Sequence, residues 1–146
     1  RIPDSFSIAR ERGIEFSFTP NEIETEVHPN TVDIAMTGSS GRRMTVRGES
    51  LGGGKIRITR INQAEVDFSG EYNTLIVIQK DRQGVIAHIT GCLSKANVNI
   101  AFLKLFREAK GSTAYSIVEF DGSLPEGIPD EIRKNPNVKD VMLIEL

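Results

Sequence analysis

Cysteine is nearly absent from this 146-residue chain, in which Cys92 stands alone. One cysteine excludes a disulfide within the chain. It also excludes a zinc or iron–sulfur site built from the thiolates of this chain alone, because such sites take several cysteine ligands. The scarcity is typical of a reducing compartment, so we expect a cytoplasmic protein.

The sequence also lacks a strong charge of one sign and any long apolar run. Its formal net charge of -2 gives no electrostatic basis for binding nucleic acid or an anionic membrane. The apolar run Leu75-Ile76-Val77-Ile78 is far shorter than the roughly 20 residues of a membrane-spanning helix, and no signal peptide is visible. The 38% of hydrophobic and 26% of charged residues indicate a soluble globular protein with neither nucleic-acid nor membrane partners.

No nucleophile–base pair, metal-ligand cluster or phosphate-binding loop is visible in the sequence. The unusual stretch is SLGGGKIRI, in which three consecutive glycines, Gly52 to Gly54, precede a strand-like alternation. This is not a dinucleotide-binding fingerprint, because the pattern that follows the glycines predicts a strand and not a helix. We therefore expect no catalytic residue and no metal ligand here.

The first half of the chain predicts an α+β unit with an antiparallel sheet. A short helix is expected over residues 1–13, with Pro3 and Asp4 at its start and Gly13 at its end, and residues 21–30 are expected to form a loop. Alternating patterns predict strands over residues 14–20, 31–37, 44–48 and 55–58. One helix cannot cover such a sheet, so we expect residues missing upstream, or a partner, to cover the rest.

The second half predicts the order βαββαβ, which is the split arrangement of ferredoxin-like domains. The predicted elements are a strand at 74–79, a helix at 85–97, hairpin strands at 98–109 and 113–120, a helix at 125–136 and a strand at 138–146. The fold class is therefore α+β in both halves. We place one domain at residues 1–70 and a second at residues 71–146.

The segment KDRQGVIAHITGCLSKANVNI, residues 80–100, resembles the opening of an ACT domain, a common small-molecule sensor module. Gln83 replaces the proline that is usual in that module. The positions that match are Asp81, Gly84, Leu93, Asn99 and Ile100.

The upstream half sharpens this resemblance. RIPDSFSIARERGIEFSF, HPN and SLGGGKIRITRIN together are similar to the β subunit of bacterial iron–sulfur-dependent L-serine dehydratase, in which an ASB-like domain precedes an ACT domain. Asn62-Gln63 replaces the family's Asn-Gly, and its upstream Ser-Ser-His stretch is absent, consistent with a truncated chain. The resemblance implies that the assembled enzyme converts L-serine to pyruvate and ammonia with a 4Fe-4S cluster. It also implies that the α subunit carries the cluster's ligands and that this fragment is not catalytic.

The first candidate binding site is the glycine run. Backbone amides of Gly52, Gly53 and Gly54 could bind the carboxylate of serine or an anionic group, with help from Ser50 and Lys55. The alternative is a β-bulge or bend, which also uses glycine. The resemblance adds the HPN loop to this site, namely His28 and Asn30.

The second candidate binding site is the ACT turn. The free amides before the first helix favour a carboxylate, and Asp81 and Asn99 offer polar groups to an amino acid. The resemblance implies a ligand between this turn and the second strand of a neighbouring copy, and therefore a homodimer. The residues expected to line it are Gln79, Asp81, Gly84 and Asn99. Alternatively, Asp81 only caps the helix and Asn99 only forms a turn.

Three other functions remain open. In one, the glycine run and the HPN loop, with Gly53 and His28, form part of the catalytic cavity of the assembled enzyme. The same pair of domains resembles the C-terminal region of D-3-phosphoglycerate dehydrogenase, in which case an NAD-binding Rossmann unit should lie upstream. The chain could also be a purely structural dimerisation module, since an isolated ACT sheet leaves edges to pair.

Overall fold

The computed structural model describes residues 2–20 and 26–146. A 3-10 turn at Ile2–Asp4 leads into α1, Ser5–Glu11, as predicted. Four strands then form an antiparallel sheet in chain order. They are β1, Thr31–Thr37; β2, Arg43–Gly52; β3, Lys55–Ile61; and β4, Ala64–Phe68. Of the predicted loop at 21–30, residues 21–25 lie outside the described residues, and residues 26–30 form bends and turns.

The second half has the predicted βαββαβ order, which confirms the ferredoxin-like prediction. Its elements are β5, Asn73–Lys80; α2, Val85–Lys95; β6, Ile100–Arg107; β7, Thr113–Phe120; α3, Ile128–Arg133; and β8, Val138–Ile144. The strands lie in the order β6-β7-β5-β8, and each neighbouring pair is antiparallel. Both helices cover one face, where Leu75, Val118, Ile89 and Ile132 are completely or almost completely buried.

The two sheets pack face to face. A second apolar cluster joins Ile61, Val66 and Phe68 of the first sheet to Ile76 and Ile117 of the second, on the face that the helices leave open. Side chains alternate between the faces of a strand, so β5 and β7 bury one set against the helices and the other against the first sheet. This two-sided burial explains the continuous apolar runs in both strands. The predicted boundary between residues 70 and 71 falls in the link between β4 and β5.

Two predictions about the first half were wrong. Residues 14–20 form no strand; instead Phe16 and Phe18 cluster with Phe6 of α1, with ring centroids 5.1 to 5.8 Å apart. Their alternation therefore serves an aromatic cluster and not a sheet face. Conversely, β4 was not predicted, because Asn62-Gln63 is a weaker turn signal than Asn-Gly. Asn62 nevertheless adopts a left-handed conformation, with φ 52°, and the chain turns back into β4.

Candidate functional site

The three glycines form the hairpin between β2 and β3. Gly52 pairs with Lys55, so Gly53 and Gly54 make a two-residue loop. The φ angles of Gly52, Gly53 and Gly54 are 87°, 62° and 80°, in the left-handed region that glycine enters without strain. A tight hairpin with both loop residues at positive φ matches the twist of the strands. A hairpin turn, which was not among the alternatives drawn from the sequence, therefore accounts for these glycines, and a Cβ on any of them would meet no atom within 4 Å.

The HPN loop lies at the same end of the first sheet as this hairpin. The backbone amide of Asn30 donates to Nδ1 of His28 at 3.2 Å, and the amide of Ser50 donates to the carbonyl oxygen of Asn30 at 2.9 Å. The structure thus brings together His28, Asn30, Ser50 and the hairpin from Gly52 to Lys55. The HPN loop had been linked to the glycine run only by the resemblance, and the pairing of β1 with β2 joins the two.

The Asp81 side chain is tied to the turn between β6 and β7. Its Oδ2 accepts a hydrogen bond from the amide of Gly111 at 3.0 Å and lies 3.3 Å from Nε of Arg107. The alternative that Asp81 caps α2 is therefore wrong. The cap residue of α2 is Gly84, with φ 83° and no side chain to accept a hydrogen bond. No side chain caps the start of this helix, so its first amides keep their capacity for an anion.

Gln79 and Asn99 lie far from each other. Gln79 is buried on the helix-covered face, where its Oε1 accepts from the Ser116 hydroxyl at 3.0 Å. Asn99 donates to Oδ2 of Asp121 at 2.6 Å, at the other end of the sheet. Ile100, next to Asn99, pairs with Phe120, which also pairs with Asn73. Gln79 is six residues along β5 from Asn73, so about 20 Å separates the two ends.

A polar row on the outer face of the first sheet was not predicted from the sequence. Strand pairing places Asp33, Arg47, Arg60 and Glu65 side by side along a cavity of about 470 Å³. Nε and Nη2 of the buried Arg47 donate to the two Asp33 oxygens at 2.7 and 2.6 Å. This contact lowers the pKa of Asp33. Alternation alone could have placed Asp33 and Arg47 opposite the apolar face, but only the register aligns them.

The described residues do not fit an iron–sulfur cluster. They contain no group of three or more histidine, cysteine or acidic side chains that could hold a metal ion. Cys92 lies on α2 with its Sγ 3.8 Å from Nε2 of His88. That His88 nitrogen is also 3.1 and 3.2 Å from the carbonyl oxygens of Glu131 and Ile132 in α3, so it joins the two helices. Within the same described residues, no helix is long and apolar enough to cross a membrane.

These elements define an α+β protein. A βαββαβ unit with the arrangement of an ACT module packs against a second antiparallel sheet. The chain is 33% identical to the probable L-serine dehydratase beta chain of Bacillus subtilis over 144 residues, 99% of this chain and 64% of that protein. It is 31% identical to the L-serine dehydratase beta chain of Peptoniphilus asaccharolyticus, over 90% of this chain and 60% of that protein. The predicted resemblance to the L-serine dehydratase β subunit is confirmed.

The chain spans about three fifths of the length of these two relatives. It is also 30% identical to the D-3-phosphoglycerate dehydrogenase of Bacillus subtilis, over 95% of this chain but only 26% of that protein. No family model matches the sequence. One solved structure, the ACT domain from the GTP pyrophosphokinase of Chlorobium tepidum, covers 49% of this chain with a TM-score of 0.40 and 23% identity.

Proposed function

We propose that this chain is the regulatory and substrate-binding region of an L-serine dehydratase, which converts L-serine to pyruvate and ammonia in the cytoplasm. The observation that carries the proposal is the 33% identity to a beta chain over 99% of this chain. In this proposal the chain is not catalytic, and a 4Fe-4S cluster is held by an α subunit that it contacts. A single cysteine supports ligation of the cluster elsewhere, because such a cluster takes four thiolates.

The proposed serine site is the ACT turn. The α2 amides after Gly84 would receive the serine carboxylate, since a helix N-terminus carries a partial positive charge. Asp81 supports this role indirectly: its bonds to the β6–β7 turn hold the loop in place. The side chain of Asn99 would then contact the ligand from a neighbouring copy, because Asn99 of the same chain lies at the far end of the sheet.

The separation of Asn99 from the ACT turn of its own chain supports a homodimer. A two-fold pairing of β6 edges would run the two strands antiparallel and bring each partner's Asn99 end to the other's ACT turn. The β6 edge also presents apolar side chains, with Leu103 and Leu105 about two fifths exposed, at 39% and 40%. Burying them against a second copy would remove apolar surface and satisfy the open strand edge.

Titration calorimetry of the chain with L-serine tests the serine site. We expect heat of binding at millimolar L-serine, and about tenfold weaker binding in Asn99→Ala because a polar contact is lost. Ser94→Ala, an exposed change on α2, is the matched control and should bind normally. Absence of heat in the unmodified chain and in the intact protein would contradict serine sensing.

Sedimentation analysis tests the dimer. Leu105→Glu places a charge in the proposed β6 interface and should yield monomers, whereas Leu51→Glu, at a similarly exposed apolar residue on the first sheet, should not. A tight dimer whose melting temperature never responds to L-serine would favour the purely structural module instead.

A second candidate function is the regulatory region of a D-3-phosphoglycerate dehydrogenase, which the 30% identity over 95% of the chain favours. The sequence encoded before Arg1 separates the two candidates. A Ser-Ser-His stretch there supports the dehydratase, and a Rossmann fingerprint supports the dehydrogenase. Activity assays of the whole protein distinguish the same two candidates. Pyruvate formation from L-serine supports the dehydratase, and NAD-linked oxidation of 3-phosphoglycerate supports the dehydrogenase.

A further inference from the structure

A small pocket lies where the two sheets meet, beside the glycine hairpin. Its volume is about 260 Å³, below the roughly 300–1,000 Å³ of pockets for drug-sized ligands. Four apolar side chains and five polar ones line it. They are Leu51, Ile56, Phe68 and Phe102, and Arg57, Asp67, Ser69, Lys104 and Glu119. The ring of Phe102 packs edge to face with that of Tyr72, with ring centroids 5.6 Å apart.

Glu119 is the unusual residue in this pocket. It lies on β7 among almost entirely buried neighbours and is itself only 3% exposed. Its one hydrogen bond among the described residues comes from the Ser69 hydroxyl, at 3.1 Å. None of the ion pairs formed within 4.0 Å among those residues includes Glu119. A buried carboxylate held by one neutral hydroxyl is poorly compensated for its lost hydration, and a cationic group would stabilise it.

Two cationic side chains line the same pocket and are partly exposed. Lys104 lies on β6, two residues from Phe102, which is the strand partner of Glu119, and Arg57 lies on β3 of the first sheet. Nζ of Lys104 donates to the Asp67 carbonyl at 2.7 Å, and Nε of Arg57 donates to Oδ1 of Asp67 at 2.9 Å. Arg57 lowers the pKa of Asp67, which therefore stays ionised at neutral pH. The side chains of Lys104 and Arg57 are 39% and 49% exposed, so both cations keep donors for an incoming anion.

We propose that this pocket binds an α-amino acid with an aliphatic side chain. The ammonium group pairs with Glu119, the carboxylate pairs with Lys104 and Arg57, and the side chain packs against Phe68 and Phe102. The four charged side chains of the whole pocket, two cations and two carboxylates, carry no net charge, which complements a zwitterion better than a charged ligand. The site is separate from the serine site proposed at the ACT turn and does not depend on it.

Calorimetric titration of the chain with three probes tests this assignment. L-leucine carries both charges, N-acetyl-L-leucine lacks the ammonium, and L-leucinamide lacks the carboxylate. We expect L-leucine to bind at millimolar concentration and each derivative to bind at least tenfold more weakly. Equal binding of N-acetyl-L-leucine, or no heat from L-leucine, overturns the proposal.

Variants locate the site. Glu119→Gln keeps the shape of the side chain and should weaken L-leucine binding at least tenfold, whereas the exposed Glu126→Gln should not change it. If Glu119→Gln fails to fold, Lys104→Met, which removes a cation proposed to pair with the carboxylate, should give the same loss of binding. Asp81→Asn should impair only the response to L-serine. L-leucine binding that is lost in Asp81→Asn and kept in Glu119→Gln would place the ligand at the ACT turn and refute this inference.

Discussion

Gly53→Ala isolates the conformational role of the glycine hairpin. Gly53 has φ 62°, and a Cβ there would meet no atom within 4 Å, so the substitution introduces no clash. The substitution should lower the free energy of unfolding by about 1–2 kcal/mol, because a residue with a Cβ is less stable in the left-handed backbone conformation. For a chain of this length about 1 kcal/mol lowers the melting temperature by roughly 2–4 °C. Gly53→Asn should cost less, because asparagine enters this conformation more readily.

Thermal and urea unfolding followed by circular dichroism measure these differences. Gly38→Ala is the matched control: it lies in the β1–β2 connection of the same sheet, and its Cβ would meet only the Arg42 carbonyl, at 3.9 Å. That variant should be as stable as the unmodified chain or slightly more stable. If Gly53→Ala and Gly53→Asn are equally stable, or if Ala costs nothing, positive φ is not the reason for the glycine.

Three further predictions concern the core, the acid response and the enzyme. Leu93→Ala, at a fully buried position on α2 in the core cluster beneath it, should lower the free energy of unfolding by about 2–5 kcal/mol in urea titrations; a loss below about 1 kcal/mol would contradict the packing. Arg47 lowers the pKa of Asp33, so that carboxylate stabilises the fold above about pH 4 and ceases to do so as the pH falls through the lowered pKa. Acid unfolding of Asp33→Asn should therefore show a flatter loss of stability below about pH 4, and an unchanged slope would refute the linkage. If the hairpin end of the first sheet belongs to a catalytic cavity, His28→Ala in the assembled enzyme lowers turnover at unchanged cluster content, and unaltered kinetics reject that role.

Most of the second half was predictable because its periodicities are strong and local. The apolar stripe with Val85, Ile89 and Leu93 predicts α2, and Thr113–Phe120 was predicted residue for residue as a strand. The first half was less predictable. Ile14, Phe16 and Phe18 alternate as a strand would, yet the two phenylalanines pack with Phe6 of α1.

The candidate sites also differ in how far the sequence could predict them. The glycine run and the ACT turn were visible because glycine and helix-start signals are local in sequence. The pocket around Glu119 was not visible, since Ser69, Lys104 and Glu119 come from separate segments that carry no shared motif. Likewise, the Asp33–Arg47 pair depends on the register between β1 and β2.

The sequence by itself determined the βαββαβ order and the lack of thiolates for a cluster. Each follows from the chemistry of neighbouring residues. Tertiary structure alone decided that the first sheet packs on the open face of the second and that Asp81 binds the Gly111 amide. It also decided that Asn99 lies at the opposite end of the sheet from the ACT turn. Those outcomes depend on which strands pair and in what register, and pairing is a property of residues that are distant in sequence and adjacent only after folding.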